Sequence, residues 1–312
     1  MDRRSLIKSL GMMAGALALG EARVLGNVSY KVPTPKRALR IAHLTDIHIS
    51  SDKTALNGYE KCLMHLQNLE EKPDFIINGG DTIEDALYRS RSQINEQWGA
   101  WHDINKMHSD LHMHYCIGNH DIWGLYSGRK DGDYGKRVAL DMLRTASAYY
   151  SFDAGGWHII ILDSTQKKKN GLWYTAALDP VQFEWLKNDL KNTAANVPIM
   201  VVSHIPILCA NVFLDDIKIR NGKFQIPGSW MHTDVKEIIG LFDQYPNVKL
   251  CLSGHIHMQD SVVYHGVSYC CNGAVCGDWW KHNIYNGTNA GYAIIDLFED
   301  GSFSNTYMSY DS

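Results

Sequence analysis

The 312-residue chain lacks several features that would place it in common classes of protein. It contains no Gly-x-Ser-x-Gly, the nucleophile motif of many hydrolases, and no internal repeat or low-complexity stretch. Positive charge is not in excess, because the formal net charge is −4 at pH 7. We therefore expect no stable binding of nucleic acid, and the basic run at residues 167–169 is interpreted as a solvated loop.

A long apolar run is absent as well. The apolar segment at residues 10–19 is too short to span a bilayer, which takes about 20 residues. It follows Arg3-Arg4-Ser5-Leu6-Ile7-Lys8, which resembles a twin-arginine export motif. We expect residues 1–26 to be a signal segment for the twin-arginine export machinery, with a frayed N-terminal helix as the alternative. The protein would then be periplasmic or extracellular, with no membrane span after signal removal.

The cysteines do not form the spacing of a disulfide framework. There are seven, an odd number, and none precedes Cys62, which excludes a lipoprotein anchor at the signal. Cys270, Cys271 and Cys276 are the only cluster. Because neighbouring strand residues point to opposite faces, Cys270 and Cys271 are not expected to be buried together. The sequence leaves a Cys271–Cys276 bridge open.

Five short motifs carry residues of the types that bind metal ions. They are Asp46-Ile47-His48, Gly80-Asp81, Gly118-Asn119-His120-Asp121, Ser203-His204 and Gly254-His255-Ile256-His257. Carboxylate, amide and imidazole groups suit hard or borderline divalent cations, and a pair of ions about 4 Å apart needs several such groups. The candidate ligands are Asp46, His48, Asp81, Asn119, His204, His255 and His257. This set leaves His120 for proton transfer.

The context of these motifs predicts that they converge. Apolar runs at residues 39–44, 75–77, 199–202 and 249–252 lead into four of them, and the half-apolar run at 111–117 leads into the fifth. Such runs followed by Gly, Ser or Asn are typical of sheet strands that end in loops. Sites in α/β folds form outside the carboxyl ends of strands, so five loops can meet there.

The rest of the chain alternates strand and helix signals and ends in strands. We expect helices at residues 55–71, 85–107, 180–193 and 233–244, the last with Thr233 as its N-cap. Residues 148–152 and 158–163 are predicted to form a hairpin. Four strands are predicted in the tail, at 261–265, 267–272, 290–297 and 302–309. Residues 27–38 are predicted to be an extended lead-in.

At the five motifs the chain resembles the calcineurin-like metallophosphoesterase family. The family pattern is Asp-x-His, Gly-Asp-x-x-Asp, Gly-Asn-His-Asp/Glu, His and Gly-His-x-His, and the resemblance extends from residue 39 to the C-terminus. It implies one α/β domain over residues 39–312, a four-layer sandwich of two packed mixed β-sheets flanked by helices.

The resemblance also implies a role for each motif residue. The first ion would take Asp46, His48, Asp81 and His257, and the second would take Asp81, Asn119, His204 and His255. Asp81 would bridge the ions, and His120 would give a proton to the leaving group. Where the family has a second Asp, this chain has Glu84 followed by Asp85, and the sequence leaves open which of them supports His120. Asp121 is a third neighbouring carboxylate.

The resemblance implies a phosphoesterase that uses two divalent metal ions to turn water into a hydroxide nucleophile. The mixed ligands accept manganese, iron, zinc or cobalt. The substrate would be a small phosphomonoester or phosphodiester, and whether it is a nucleotide stays open. The alternative is a non-catalytic metal-binding or interaction protein on the same scaffold, against which the intact Asn119 and His120 argue.

Two segments outside the motifs are predicted to shape the substrate pocket. Residues 213–232 and 273–289 are long for loops within a compact domain, and such loops are often functional. Within them, Trp279, Trp280 and His232 are the candidates to line the pocket. Adjacent tryptophans near a metal site could stack a base or an aromatic leaving group. The alternative is that one tryptophan fills the core and the other caps a sheet edge.

Overall fold

Two β-sheets form the centre of the molecule. The computed structural model describes residues 35–124, 135–168, 174–215, 218–281 and 283–310. The first sheet has the strand order β15-β14-β1-β2-β3. Its strands are β1 (Arg37–Leu44), β2 (Phe75–Asn78), β3 (Met113–Tyr115), β14 (Gly291–Phe298) and β15 (Phe303–Ser309). The strands β1, β2 and β3 run parallel, whereas β14 pairs antiparallel with β1 and β15.

The second sheet has the order β12-β13-β11-β8-β5-β4. Its strands are β4 (Tyr150–Ala154), β5 (Trp157–Leu162), β8 (Ile199–Ser203), β11 (Val248–Ser253), β12 (Asp260–Tyr264) and β13 (Val267–Cys271). The four central strands, β5, β8, β11 and β13, run parallel, and an antiparallel strand closes each edge. The predicted hairpin is present as β4 and β5. Both sheets are therefore mixed, with the parallel strands in the middle of the second sheet and on one side of the first.

Helices cover the outer face of each sheet. They are α1 (Lys53–Gln67), α2 (Arg91–His108), α3 (Arg137–Leu143), α4 (Pro180–Asn192) and α5 (Val235–Phe242). The first three helices pack on the first sheet, where Leu63 and Trp98 are buried in one cluster with Ile76. The other two pack on the second sheet, where Leu186 and Ile238 share a cluster with Val201.

The inner faces of the two sheets pack against each other. Ile41 and Ile77 of the first sheet share a buried apolar cluster with Met200 and Leu250 of the second. The order of layers is therefore helix, sheet, sheet, helix, which confirms the predicted four-layer fold. Burial on both faces explains why β1, β2, β8 and β11 are apolar runs instead of alternating patterns.

The short elements and helix ends differ from the prediction. Helix α2 begins at Arg91 instead of Asp85, because Ser90 and Gln93 form a capping box there. The N-cap position of α5 is Asp234, since the Thr233 hydroxyl donates to the Ala176 carbonyl instead. Three elements were not predicted: α3, the ribbon β6–β7 (Thr165–Lys167, Tyr174–Ala176) and the ribbon β9–β10 (Lys218–Arg220, Lys223–Gln225).

The expectation that Cys270 and Cys271 would not be buried together is wrong. Both are buried, because apolar side chains pack against each of the two faces of β13. Cys270 lies in the cluster between the sheets, and Cys271 lies in a cluster with Cys209 and Ile256 on the opposite face. Cys271 and Cys276 are both free thiols, so the bridge that the sequence left open does not form.

The proposed signal segment and most of the lead-in, residues 1–34, lie outside the described residues. Among the residues that are described, no helix has the length and apolar character to cross a membrane.

Candidate metal centre

The predicted ligands lie in five loops that meet at one edge of the two sheets. Asp46 follows β1, Asp81 follows β2, Asn119 follows β3, His204 follows β8, and His255 and His257 follow β11. These strands are parallel within each sheet, so their carboxyl ends reach the same end of the molecule. The structure thus brings together all seven candidate ligands from the sequence.

The backbone at this edge is unusual, because five of the ligands have left-handed dihedrals. They are Asp46, His48, Asp81, His255 and His257, with φ between 46° and 71°. Such a conformation costs about 1–3 kcal/mol for a residue other than glycine and persists where surrounding contacts enforce it. Here, the Asp46 N–H donates to the Gly80 carbonyl and the His48 N–H to the Asp81 carbonyl, each at 3.0 Å.

Two glycines are required by the close approach of the ligand loops. A Cβ atom on Gly118 would overlap the carboxylate of Asp81, and one on Gly254 would overlap Asp46 and Thr45. The glycines of the third and fifth motifs are therefore part of the ligand geometry, since no side chain fits at either position.

One oxygen of Asp81 lies between two groups of imidazoles. Asp81 Oδ2 is 3.6 Å from His48 Nε2 and 3.2 Å from His204 Nε2. On the first side, Asp46, His48 and Asp81 offer ligand atoms within 4.8 Å of one another, and on the second side Asp81, His204 and His255 do so. A carboxylate shared between two clusters of this kind fits a bridge between two ions.

His257 completes the first side. Its Nε2 atom is 3.2 Å from His48 Nε2 and 3.4 Å from Asp46 Oδ1. Cys276 is a further candidate there, because its thiol forms a third possible cluster with His48 and His257. The Cys276 Sγ lies 3.8 Å from His257 Nδ1.

Hydrogen bonds on the far side of three of the ligand rings select the nitrogen that faces the centre. His204 Nδ1 contacts the Gly79 carbonyl at 2.9 Å, and His257 Nδ1 contacts the Gly277 carbonyl at 3.0 Å. Each leaves Nε2 for a cation. His255 is held in the opposite sense, by a contact of 2.9 Å between Nε2 and the Ser229 carbonyl, which leaves Nδ1.

Asn119 supplies the observation that tests whether metal ions fit. The residue is only 1% exposed, and its side-chain oxygen has no hydrogen-bond donor among the described residues. An unsatisfied buried acceptor is costly unless a partner is supplied. Because this oxygen lies with carboxylates and correctly oriented imidazoles, the residues present fit a pair of divalent cations.

Burial sets the protonation of several of these side chains. It lowers the pKa of His48 and of His255 to about 3, so both rings are neutral and can donate a lone pair. For His204, burial by itself lowers the pKa, but the carboxylates of Asp81 and Asp46 raise it to about 9. Metal binding must therefore displace a proton from His204.

His120 lies beside the ligands without joining them. Its backbone N–H donates to Asp81 Oδ1 at 2.7 Å, and its ring centroid is 4.9 Å from that of His48. The buried Nδ1 has no hydrogen bond, and the nearest carboxylate oxygen, Asp85 Oδ1, lies 3.9 Å away. Between the two carboxylates that the sequence left open, Asp85 is therefore the one that faces His120.

The other two neighbouring carboxylates have different partners. Glu84 lies 3.5 Å from Arg89 and is half exposed. Asp121 is fully buried and accepts hydrogen bonds from the backbone N–H groups of Thr82, Ile83 and Gly118. It ties the second motif to the third. Burial and the charge of Asp81 raise the pKa of Asp121 to about 7, although the N–H groups lower it.

A pocket of about 190 Å³ opens over the centre. Besides ligands and His120, its walls contain Tyr174, Asp215, Trp230, Ile256, Trp279 and Tyr285. Trp279 lies on the ligand rings, with its centroid 4.0 Å from His48 and 5.4 Å from His257. The structure thus places this tryptophan where the sequence analysis predicted.

The other two pocket candidates do not line it. Trp280 points away from the centre, and its indole N–H donates to the His48 carbonyl from behind at 3.0 Å. His232 is buried, and its ring contacts Asp234 at 2.9 Å and Ser203 at 3.1 Å. The alternative from the sequence, in which one tryptophan fills the core and the other caps a sheet edge, holds only for Trp280, which packs against the core cluster of the first sheet, because Trp279 lines the pocket.

Comparison with known proteins agrees with this geometry. Residues 39–259 match the family model described as calcineurin-like phosphoesterase. The chain belongs to this family. It is a hydrolase that acts on phosphoester bonds, and its α/β fold of mixed sheets flanked by helices agrees with the family.

Two curated relatives of this phosphoesterase are cyclic-nucleotide phosphodiesterases. The chain is 24% identical to the 3',5'-cyclic-nucleotide phosphodiesterase alr5338 of Nostoc, over 86% of this chain and 91% of the relative. It is 23% identical to the 3',5'-cyclic adenosine monophosphate phosphodiesterase CpdA of Escherichia coli, over 85% and 88%. Among solved structures, a dimetal phosphatase from Danio rerio shares the fold, with a TM-score of 0.64, 11% identity and coverage of 88% and 97%.

Several residues at the site of this phosphoesterase were not singled out from its sequence. Asp215 and Tyr285 come from the two long segments, but nothing in either segment marks those positions. Cys276 was considered only as a disulfide partner. The usable signal for Cys276 was its place in the loop after β13, at the edge where every other ligand loop emerges.

Proposed function

We propose that this protein is an exported two-metal phosphodiesterase that hydrolyses a small phosphodiester of the nucleotide type. The observation that carries the proposal is the position of Asp81, whose single Oδ2 atom lies within 3.6 Å of imidazole nitrogens on both sides. Two divalent ions held there would activate a water molecule and neutralise charge on the phosphate. Manganese, iron and zinc all suit the ligand set.

The residues of the chain then have separate tasks. Asp46, His48 and His257 hold one side of the centre, and His204, His255 and the amide oxygen of Asn119 hold the other. His120 lies near the position of the reacting group and is not a metal ligand, so it can protonate the oxygen of the leaving alcohol. Asp85 faces the His120 ring, with 3.9 Å between Asp85 Oδ1 and His120 Nδ1.

Two observations support a phosphodiester with a flat substituent. Two of the curated relatives are phosphodiesterases of cyclic nucleotides, across nearly their whole length. In addition, Trp279 lies on the ligand histidines and stays 38% exposed, so part of its surface is open to the pocket. Stacking of a base on an aromatic ring contributes about 1–3 kcal/mol.

A panel of substrates tests this proposal. The protein is stripped with a chelator, reloaded with manganese, and assayed on a 3',5'-cyclic nucleotide, an aryl phosphodiester, an aryl phosphomonoester and a nucleoside diphosphate derivative. Hydrolysis of the two diesters, dependent on added metal, is the expected result. A protein that binds two ions and hydrolyses none of the four would instead support the alternative, a non-catalytic binding protein.

The export part of the proposal rests on the Arg3-Arg4 motif and the short apolar segment after it. Replacement of Arg3 and Arg4 by lysine keeps the positive charge but removes the guanidinium groups. In a host with a twin-arginine pathway, we expect the double variant to stay in the cytoplasm while the parent protein is exported. Equal export of both forms would refute the assignment.

A further inference from the structure

The walls of the pocket over the metal centre carry one charge that no ligand role explains. Apart from the candidate ligands and His120, the described residues that line it are aromatic or aliphatic, with the exception of Asp215. Neither lysine nor arginine is present among those described residues. The phosphate therefore meets, outside the metal centre itself, a carboxylate instead of the cations that usually bind phosphates.

A hydrogen bond keeps this carboxylate in the wall. The Tyr285 hydroxyl donates to Asp215 Oδ1 at 2.9 Å. The ring of Tyr285 in turn lies against the ligand His257, with 6.1 Å between ring centroids. Asp215 is half-buried and comes from the segment after β8, whereas Tyr285 comes from the loop after β13. The pair thus joins the two long segments across the pocket.

The charge of the substrate decides how it responds to such a carboxylate. At neutral pH a phosphomonoester carries close to two negative charges, because its second proton dissociates near pH 6. A phosphodiester carries one. The charge of Asp215 is fixed next to a small, partly enclosed space, where repulsion is stronger than in bulk water. Entry into the pocket therefore costs more electrostatic free energy for the doubly charged ester than for the singly charged one.

We infer that Asp215, held by Tyr285, makes this pocket select singly charged phosphoesters over doubly charged ones, an inference that rests on the proposed phosphoesterase function. The second carboxylate oxygen of Asp215 has no partner among the described residues, so it can accept a hydrogen bond from a hydroxyl group of the substrate. The favoured substrate is then a phosphodiester monoanion whose substituent carries a hydroxyl near the wall.

Two esters of matched size isolate the effect of charge. Both p-nitrophenyl phosphate and p-nitrophenyl methylphosphonate release nitrophenolate, but the first is a dianion and the second a monoanion. The manganese-loaded full chain is assayed on both at pH 8, and the ratio of the two kcat/KM values, phosphate over methylphosphonate, is compared between variants. Asp215→Asn keeps the shape and the acceptor for Tyr285 while it removes the charge.

We expect Asp215→Asn to raise this ratio roughly tenfold, since it relieves repulsion of the dianion more than repulsion of the monoanion. Asp243→Asn removes an equal charge at an exposed ion pair with His265 and should leave the ratio within twofold. If the asparagine side chain disturbs folding, Asp215→Ser is a second variant that also removes the charge. Metal content and melting temperature are measured for each protein.

The outcomes separate this inference from the proposed function. If the wild-type protein hydrolyses the esters but neither Asp215 variant moves the ratio beyond twofold, the selective role of Asp215 is overturned and the phosphoesterase proposal stands. An equal rise in Asp243→Asn would also overturn it, because overall charge would then be responsible. A wild-type protein that binds two ions and hydrolyses neither ester would overturn both proposals.

Discussion

The indole N–H of Trp280 donates a hydrogen bond of 3.0 Å to the carbonyl oxygen of His48. His48 has a left-handed backbone, so this bond helps to hold a strained peptide in place behind the metal centre. The adjacent Trp279 contacts the imidazole of the same residue from the pocket side. The two tryptophans, both left-handed themselves, therefore fix one ligand from two directions.

Gly58 in helix α1 makes this arrangement possible. A Cβ atom there would overlap the Trp280 ring. We predict that Gly58→Ala displaces the indole, costs about 1–3 kcal/mol of stability and weakens binding of the first metal ion. Chemical unfolding and metal titration measure the two effects.

Gly99 is the matched control for this substitution. It also lies inside a helix, α2, but a Cβ atom there meets nothing within 4 Å. Gly99→Ala should stabilise the protein by up to about 1 kcal/mol, because alanine is the better helix former. Metal affinity should not change. Equal behaviour of the two alanine variants would show that Trp280 does not depend on Gly58.

The proton-donor role of His120 predicts a dependence on the leaving group. A poor leaving group needs a proton to depart, whereas nitrophenolate does not. His120→Ala should therefore lose about 10²–10⁴-fold in rate on an alkyl phosphoester and much less on a nitrophenyl ester. Its metal content should stay unchanged. Equal losses on the two esters would leave His120 as a group that orients the phosphate.

Much of the site could be predicted because the ligand motifs lie in loops that follow strand signals, four of them apolar runs and the fifth half-apolar. The order of motifs then fixed which residues meet at the sheet edge. The roles of Trp279 and Trp280 could not be separated, because both have positive φ and the usual alternation of side chains fails there. Helix α3 has only seven residues, too few for a helical period to be recognised.

The sequence could not predict, for a different reason, which of Glu84 and Asp85 faces His120. Asp85 accepts a hydrogen bond from the Leu87 N–H at 2.8 Å, within a turn that precedes the capping box of α2. This local turn places Asp85 Oδ1 3.9 Å from His120 Nδ1 and Asp85 Oδ2 3.7 Å from Arg89, whereas Glu84 is half exposed and lies 3.5 Å from Arg89. Only the true start of the helix at Arg91 distinguishes the two residues.

A histidine far from the centre gives a prediction about pH and stability. The hydrogen bond to Asp189, together with Asp153, raises the pKa of His158 above its ordinary value near 6.5, although partial burial opposes the shift. A raised pKa in the folded state means that the stabilisation is complete below the unfolded-state value. It is lost as the pH rises through the folded-state value.

We therefore expect His158→Gln to cost more stability at pH 5.5 than at pH 9. A loss of up to about 1 kcal/mol at the lower pH is reasonable for such ion pairs. Urea unfolding of both proteins at several pH values measures the difference. In an Asp189→Asn background the pH dependence of the effect should shrink, and an unchanged dependence would contradict the assignment to this pair.

The most direct test of the two-metal centre is the number of metal ions that the chain binds with and without the carboxylate of Asp81. Chelator-stripped wild-type protein, Asp81→Asn and the control Asp243→Asn, an exposed carboxylate, are titrated with manganese by calorimetry, and phosphodiester hydrolysis is followed at each addition. We predict that the wild type and the control bind two ions per chain and are active. We predict that Asp81→Asn loses tight binding of both ions and nearly all activity. An Asp81→Asn protein that keeps two ions and ordinary turnover, or a wild type fully active with one ion, would contradict the account.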